Sequence, residues 1–475
     1  MTAETDLKIR RDKAFFGHPA GLGWLSASEF WERFSYYGMQ TLLVLYMVDP
    51  KNGLLLPSHA EHVFGFVPFR HLLESVYGPL QPQPLASIIF GLYAGIVYLT
   101  PLAGGLLADR VIGRTRAVTI GASLMAIGHF LMAFEQSFLL ALLCLLIGVG
   151  CFKGNIASQV GDLYAQDDSR RADAFQIYTL GIQLAVIGSP IICSTLAHVY
   201  NWHYGFGAAG VGMVIGLTTY LIGRPNFPPE PARKTIQAIG AVKTVPAFTV
   251  NDWRRVIILI ALLPVLAASV IGNQQMGNAY LVWGQKALAI YLFGWRVPVE
   301  WLVSLDSGIS AITIVGVVVF WRWWGERWAE PDELLKVAMG VVLATIAPLP
   351  LVAAASIYAS SGHQVSLLWA VAFHFINDIG FANILPVGLA LYTRAAPKGL
   401  SGLMVGIYYL HLFAGNMLTG WLGGLLDSMP AAQFWLLHVA IMGVAAAALF
   451  IVHFTVGRVL TPAYDAPAAN PQPAA

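Results

Sequence analysis

Residues 29–40 read EFWERFSYYGMQ, and the seven that follow, TLLVLYM, are wholly unsuited to water. Glu29, Glu32 and Arg33 therefore begin a segment that belongs in a bilayer. The chain around them agrees. Its 475 residues are 57% hydrophobic and only 11% charged, with a mean hydropathy of +0.66. A soluble domain carries about 25% charged residues, so this inventory cannot build a water-exposed surface, and the chain is read as a polytopic membrane protein. An ionisable group at mid-bilayer costs at least ~2.5–3.5 kcal/mol, which makes the three charges functional candidates. At about 100° per residue, positions i, i+3 and i+4 share about one third of a helix circumference. Two carboxylates so close cannot both ionise cheaply, and Arg33 lowers that cost, giving a device that can bind a proton. A structural clamp between helices is the alternative.

Working outward, a crossing needs about 20 helical residues. Twelve spans are expected, near 21–48, 87–108, 117–134, 138–163, 174–199 and 204–223, then 255–283, 299–320, 334–358, 365–393, 402–425 and 431–456. With the N-terminus inside, 21 of the 27 Lys and Arg fall on cytoplasmic segments, Lys398 among them. Both termini are thereby expected in the cytoplasm. The net charge of +2 offers no field for nucleic acid. MTAETDLKIRRDKAFF lacks the apolar stretch of a secretory signal. Cys144, Cys151 and Cys193 have no metal-ligand or redox spacing and read as small core residues.

Residues 1–223 and 255–457 form two six-span halves, joined by a basic, Pro-rich cytoplasmic linker at 224–254 and followed by a disordered tail at 458–475. The 49–86 loop suggests an amphipathic helix lying on the bilayer. Two such halves imply a transporter with its cavity between them at mid-membrane. GGLLADRVIGRTR (104–116) resembles the signature loop of the major facilitator superfamily, and WRWWGERWAE (321–330) is its degenerate counterpart. The fold class expected is an all-α, twelve-helix bundle of that superfamily.

Span four holds Lys153, too deep to reach water comfortably, so it needs an anionic partner in the cavity or a purely structural pairing. EFWERFSYYG resembles the ExxERFxYYG motif of the proton-dependent oligopeptide transporter (POT/PTR) family. The resemblance continues through residues 91–114, 152–164, 170–190 and 386–410. It implies proton-coupled uptake of di- and tripeptides. By the same resemblance Glu29, Glu32 and Arg33 form the coupling cluster, Tyr36, Tyr37 and Tyr98 line the cavity, and Lys153 ties coupling to the peptide carboxylate.

Several positions leave the family pattern. Gln40 stands where a basic gate residue is usual, and Gln274, in NQQMG, where its glutamate partner is usual. Two amides could hydrogen-bond there without an unpaired charge. Phe381 occupies the place of the span-ten glutamate, while Asp378 lies one turn away, with His374 a further turn on. Asp378 is expected to replace that acid opposite Lys153, a structural polar role being the alternative. SLDS brings Asp306 where an amide is usual. Gln183, Tyr408 and Tyr409 alter the rest of the substrate-facing set. His411 is either a titrating group or a packed polar residue.

The function expected is a proton-coupled symporter that imports di- and tripeptides or peptide-like compounds by alternating access, working as a monomer in the lipid of a bacterial-type inner membrane. Protons are the coupling ion, with no other cofactor and no metal. An atypical member taking a modified peptide or non-peptide metabolite is the alternative. A receptor or enzyme is the different-class alternative: His374 and Asp378 are spaced as base and orienter or as two ligands, but no nucleophile or third ligand accompanies them.

Overall fold

The computed structural model describes residues 12–165, 168, 170–227, 249–397 and 400–460. Residues 1–11, Lys398, most of the linker and the tail from 461 lie outside them. Each expected span is helical. Helices run over Ala20–Val48, Arg114–Leu131, Phe138–Asp162, Arg170–Val199, Trp202–Gly223, Trp301–Gly325, Leu368–Ala395, Ser401–Gly424 and Ala431–Leu460. Spans two, seven and nine are interrupted, where continuous helices were expected. Span two is Pro82–Ile96, Thr100–Leu107 and a π-helical turn, Ala108–Ile112; its break precedes Pro101, which has no N–H to bond to the preceding turn. Span nine divides into Glu333–Ile346 and Leu349–Ser361, around Pro348. Span seven starts at Val250, earlier than expected, behind a Thr249–Asp252 capping box. It bends by 47° near Val270 and resumes as Ala279–Ala287.

Eight of these segments are long and apolar enough to cross a bilayer, nine with bent span seven. The first, third and eleventh are long helices of lower hydropathy. Large apolar side chains such as Ile312, Val315, Val444 and Phe454 stay exposed, as surfaces that meet lipid require.

Packing repeats between the halves. In the first, spans one–five, one–six, two–four, three–four and three–six are in contact; in the second, seven–eleven, seven–twelve, eight–ten, nine–ten and nine–twelve are. Each of these five pairings has its counterpart six spans on; spans five and six pack together as well. Small residues allow the approaches: Gly104 crosses Gly150 between spans two and four, and Gly340 crosses Gly380 between spans nine and ten. Across the boundary, spans two and eleven meet at Gly91 and Gly420, and spans five and eight also pack together.

The signature loop turns at Gly113, whose φ of +85° favours glycine. Arg114 then joins spans three and four through Asp162 (2.5 Å) and reaches Asp109 (3.3 Å). The counterpart site carries the same tie with the charges exchanged, Arg394 of span ten on Glu333 of span nine at 2.6 Å. Beside it Trp321, Trp323, Trp324 and Trp328 form an aromatic cluster suited to a membrane interface. At the opposite end, called the far end below, a helix covers Phe66–Tyr77 within the 49–86 loop; Phe66 and Leu73 are buried, whereas Val67, Leu72 and Val76 are exposed. Two short strand pairs, not anticipated, also lie there. β1 (Leu288–Ala289) runs parallel to β4 (Val365–Ser366), and β2 (Tyr291–Leu292) antiparallel to β3 (Trp295–Arg296).

A Cβ at Gly104 would come 2.0 Å from the Gly150 carbonyl oxygen, whereas one at Gly105 would meet nothing within 4 Å. Gly104→Val should therefore destabilise the purified protein by about 1–3 kcal/mol. Gly105→Val should cost clearly less, as read from thermal unfolding in detergent.

Candidate functional site

Between the halves lies a cavity of about 780 Å³. Arg33, Tyr36, Tyr37 and Gln40 reach it from span one, Tyr98 from span two, Lys153 from span four and Gln183 from span five. Gln274, Asp306, Asp378, Phe381 and Tyr409 face it from the second half. One wall thus carries two cationic side chains and the other two carboxyl groups.

Span one brings its charges together by helical spacing alone. Arg33 Nε donates to Glu29 Oε1 at 2.7 Å and lies 3.0 Å from Glu32 Oε2, the second contact lacking hydrogen-bond alignment. All three side chains are buried, and Glu29 and Glu32 sit behind the cavity wall rather than in it. Glu29 Oε2 and both oxygens of Glu32 have no hydrogen-bond donor among the described residues. Gly38, one turn further along, approaches Cys193 so closely that a Cβ would lie 2.6 Å from its sulfur, which seats span one against span five.

Lys153 is half-buried, with Nζ 5.3 Å from the centre of the Tyr98 ring. No carboxylate lies within 4.0 Å of it among the described residues. The expected Lys153–Asp378 ion pair is therefore not formed here. Asp378 belongs instead to a group within the second half. His374 Nδ1–H donates to Asp306 Oδ1 at 2.9 Å, and its Nε2 lies 2.9 Å from the Tyr280 hydroxyl, so the imidazole bridges the two. Asp378 lies within electrostatic reach of Asp306, and its Oδ1 accepts from Asn377 at 3.3 Å. His374 thus pairs across to span eight, not along its own helix to Asp378. Among the described residues no three His, Cys, Asp or Glu side chains are arranged to hold a metal ion.

Gln40 and Gln274 both face the cavity, but no hydrogen bond joins them. The neighbouring amide, Gln275, is the one engaged: it donates to Thr419 O and His438 Nε2, both at 3.1 Å, where span seven breaks. Tyr408 is a second departure from expectation. It is fully buried outside the cavity, its hydroxyl donating to Leu385 O at 2.8 Å and Ile384 O at 3.1 Å beside Pro386. Gly388 makes room for it, since a Cβ there would lie 2.6 Å from that hydroxyl. Tyr409 alone of the pair lines the cavity. His411 is buried with Nδ1 bonded to Tyr408 O, as a packed polar residue.

One contact between the halves escaped sequence reasoning. At the far end His198 Nε2 of span five lies 3.0 and 3.1 Å from the two oxygens of Glu300, just before span eight. The Glu300 side chain is 0% exposed and that of His198 35%. A carboxylate placed at the first turn of an apolar span was the available signal.

Comparison with known proteins gives this arrangement a family. The model for the POT family matches residues 115–259 and 232–436. The chain belongs to the POT family. The uncharacterized transporter YclF of Bacillus subtilis is 29% identical over 91% of this chain and 93% of its own. The peptide transporter YePEPT of Yersinia enterocolitica is 28% identical over 89% and 90% respectively. A crystal structure of a peptide transporter POT with sulfate superposes with a TM-score of 0.80 at 26% identity, covering 97% of this chain and 99% of that one. As a POT member with the major facilitator fold, the chain is a multi-pass membrane transporter rather than an enzyme.

The two adjacent tyrosines make separable predictions. Tyr408→Phe removes a buried hydrogen bond and should lower stability by about 1 kcal/mol, measured by thermal unfolding. Tyr409→Phe should leave stability unchanged and alter only substrate affinity.

Proposed function

We propose that this POT member is a proton-coupled symporter that imports di- and tripeptides by alternating access. The observation that carries the proposal is the polarity of the cavity: Arg33 and Lys153 on one wall, Asp306 and Asp378 on the other. A peptide zwitterion is complementary to such a site, its carboxylate towards Lys153 and its ammonium towards the acids. The similarity to YePEPT, itself a peptide transporter, supports the same substrate class. Glu29 and Glu32 take up the proton, and Arg33, touching both and facing the cavity, communicates their charge state to the bound carboxylate. No cofactor beyond protons is needed.

The excess of Lys and Arg on the signature-loop side supports cytoplasmic termini in a bacterial inner membrane, with the far end outside. The His198–Glu300 contact then closes the outer face, where Gln40 and Gln274 form no bond. A monomer suffices, since one chain contains both halves and the whole cavity. A more specialised substrate is favoured by one observation. Phe381 is apolar where the family pattern has an acid, and the carboxyls sit nearer Tyr280 and His374, so the amine of a modified peptide would bind in a displaced position.

Proteoliposomes with an acidic exterior test the function directly. Labelled dialanine should accumulate, and a competition screen of peptides and peptide-like compounds should rank the preferred substrate. Lys153→Ala should reduce uptake about ten- to hundredfold, the loss of a charge-assisted contact. Binding without flux would indicate a receptor.

His198→Ala would leave Glu300 buried without its partner, a situation that costs about 3–5 kcal/mol. The outer face should open more often as a result. Labelling of a cysteine introduced at Asn273, on the cavity wall, by an external thiol reagent should become faster than in the parent.

A further inference from the structure

The connection between spans seven and eight ends in an exposed apolar tip that the transport site does not use. From Ala287 to Trp295 it reads ALAIYLFGW, without a charged residue. Its base is built into the protein: Leu288 and Ile290 are buried, Val297 N–H donates to Ile290 O, and β1 pairs with β4 just before span ten. β2 and β3 then carry the chain out to a two-residue turn, Phe293–Gly294, in which both residues have positive φ, +49° and +81°. Such turns favour Asn-Gly, because asparagine tolerates the left-handed region and a bulky side chain does not. Phe293 stands there all the same, and its side chain is fully exposed. No contact among the described residues offsets that strained choice. Tyr291, Leu292 and Trp295 are exposed beside it, and Arg296, the nearest charge on β3, is turned back onto Gln285 O at 2.9 Å.

The level of the tip follows from span eight. Trp301 opens that helix and Trp321 lies in its last turns, about 30 Å away along the axis, which is the thickness of a hydrocarbon core. Between them Ile312, Val315, Val318 and Val319 are exposed. Trp321 belongs to the aromatic cluster at the signature-loop end, so Trp301 marks the opposite boundary of the bilayer. The Trp295 ring meets that of Trp301 edge-on, with centroids 5.7 Å apart, so the hairpin begins at that boundary. We propose that the hairpin is a membrane anchor: Phe293, with Leu292 and Trp295, enters the bilayer interface at the far end, between the lipid headgroups and the first methylenes of their chains. Lipid covers the apolar area that the protein leaves open, and the tip carries no charge that would have to be desolvated. The anchor keeps that end of span eight, and Glu300 with it, at a fixed depth while the halves move. The depth of the tip is the same whichever face of the membrane the far end occupies.

A nitroxide attached to Phe293→Cys, in the full-length protein reconstituted in phosphatidylcholine vesicles, tests the anchor. Its collisions with oxygen, which concentrates in lipid, are compared with its collisions with a water-soluble nickel chelate. Labels at Val315→Cys, on the exposed side of span eight, and at Asn52→Cys, exposed at the far end, set the two limits. The parent, with Cys144, Cys151 and Cys193, gives the blank. The oxygen-to-nickel ratio at 293 should exceed that at 52 several-fold and stay below that at 315. Phe293→Asn suits the turn better, so the hairpin keeps its fold, yet it should move a label at Leu292→Cys towards water. A label at 293 as open to the nickel chelate as the one at 52 would overturn the proposal. So would dipolar broadening between 293 labels that persists in a large excess of lipid, because a second copy of the chain would then cover the tip.

Discussion

One guanidinium governs this structure. Arg33 stands between two buried carboxyls and the substrate cavity, hydrogen-bonded to Glu29 and in contact with Glu32. Breaking such a buried arrangement leaves an uncompensated charge and costs several kcal/mol. Span one must therefore stay packed against spans five and six, and the close approaches at Gly38 to Cys193 and at Gly212 to Phe34 keep it there. Lys153, without a carboxylate partner among the described residues, adds a second positive charge to the same wall. In the proposed mechanism, protonation of Glu29 and Glu32 frees Arg33 to hold the substrate carboxylate beside Lys153, and coupling follows from that competition for the guanidinium.

The opposite wall is acidic. Phe381 presents carbon to the cavity, and the negative charge there comes from Asp306 and Asp378, Asp306 being held from behind by His374 and Tyr280. At the far end the amides Gln40 and Gln274 carry no charge and make no bond to each other, while His198 holds both oxygens of a fully buried glutamate. A polar contact between the halves at this end is thus His198 with Glu300.

Much of this was legible in the sequence, for physical reasons. Glu29, Glu32, Arg33 and Lys153 stand out because a bilayer tolerates so few charges, and their helical spacing fixes which of them meet. Eight or nine of the spans follow from length and hydropathy, the count of twelve needs the charge asymmetry of the loops as well, and the matching packing follows from six spans in each half. What stayed hidden depended on phase and on distant partners. Tyr408 and Tyr409 are adjacent, and only the rotation of span eleven decides which lines the cavity. The same holds for Gln274 and Gln275 at the break in span seven. His198 and Glu300 are 102 residues apart, and His374 bonds across to Asp306 rather than to Asp378 one turn along its own helix. No local pattern encodes those pairings.

The central claim is that the span-one cluster makes peptide movement depend on protons. It is tested most directly by finding the dialanine gradient at which flux reverses, in proteoliposomes held at a series of fixed pH gradients. The account predicts that the reversal point shifts by at least about tenfold in dialanine concentration per unit of pH gradient, the thermodynamic signature of one or more protons per substrate. In Glu32→Gln it should stay at equal concentrations whatever the gradient. A Glu32→Gln transporter that still concentrated dialanine against its gradient would contradict the account.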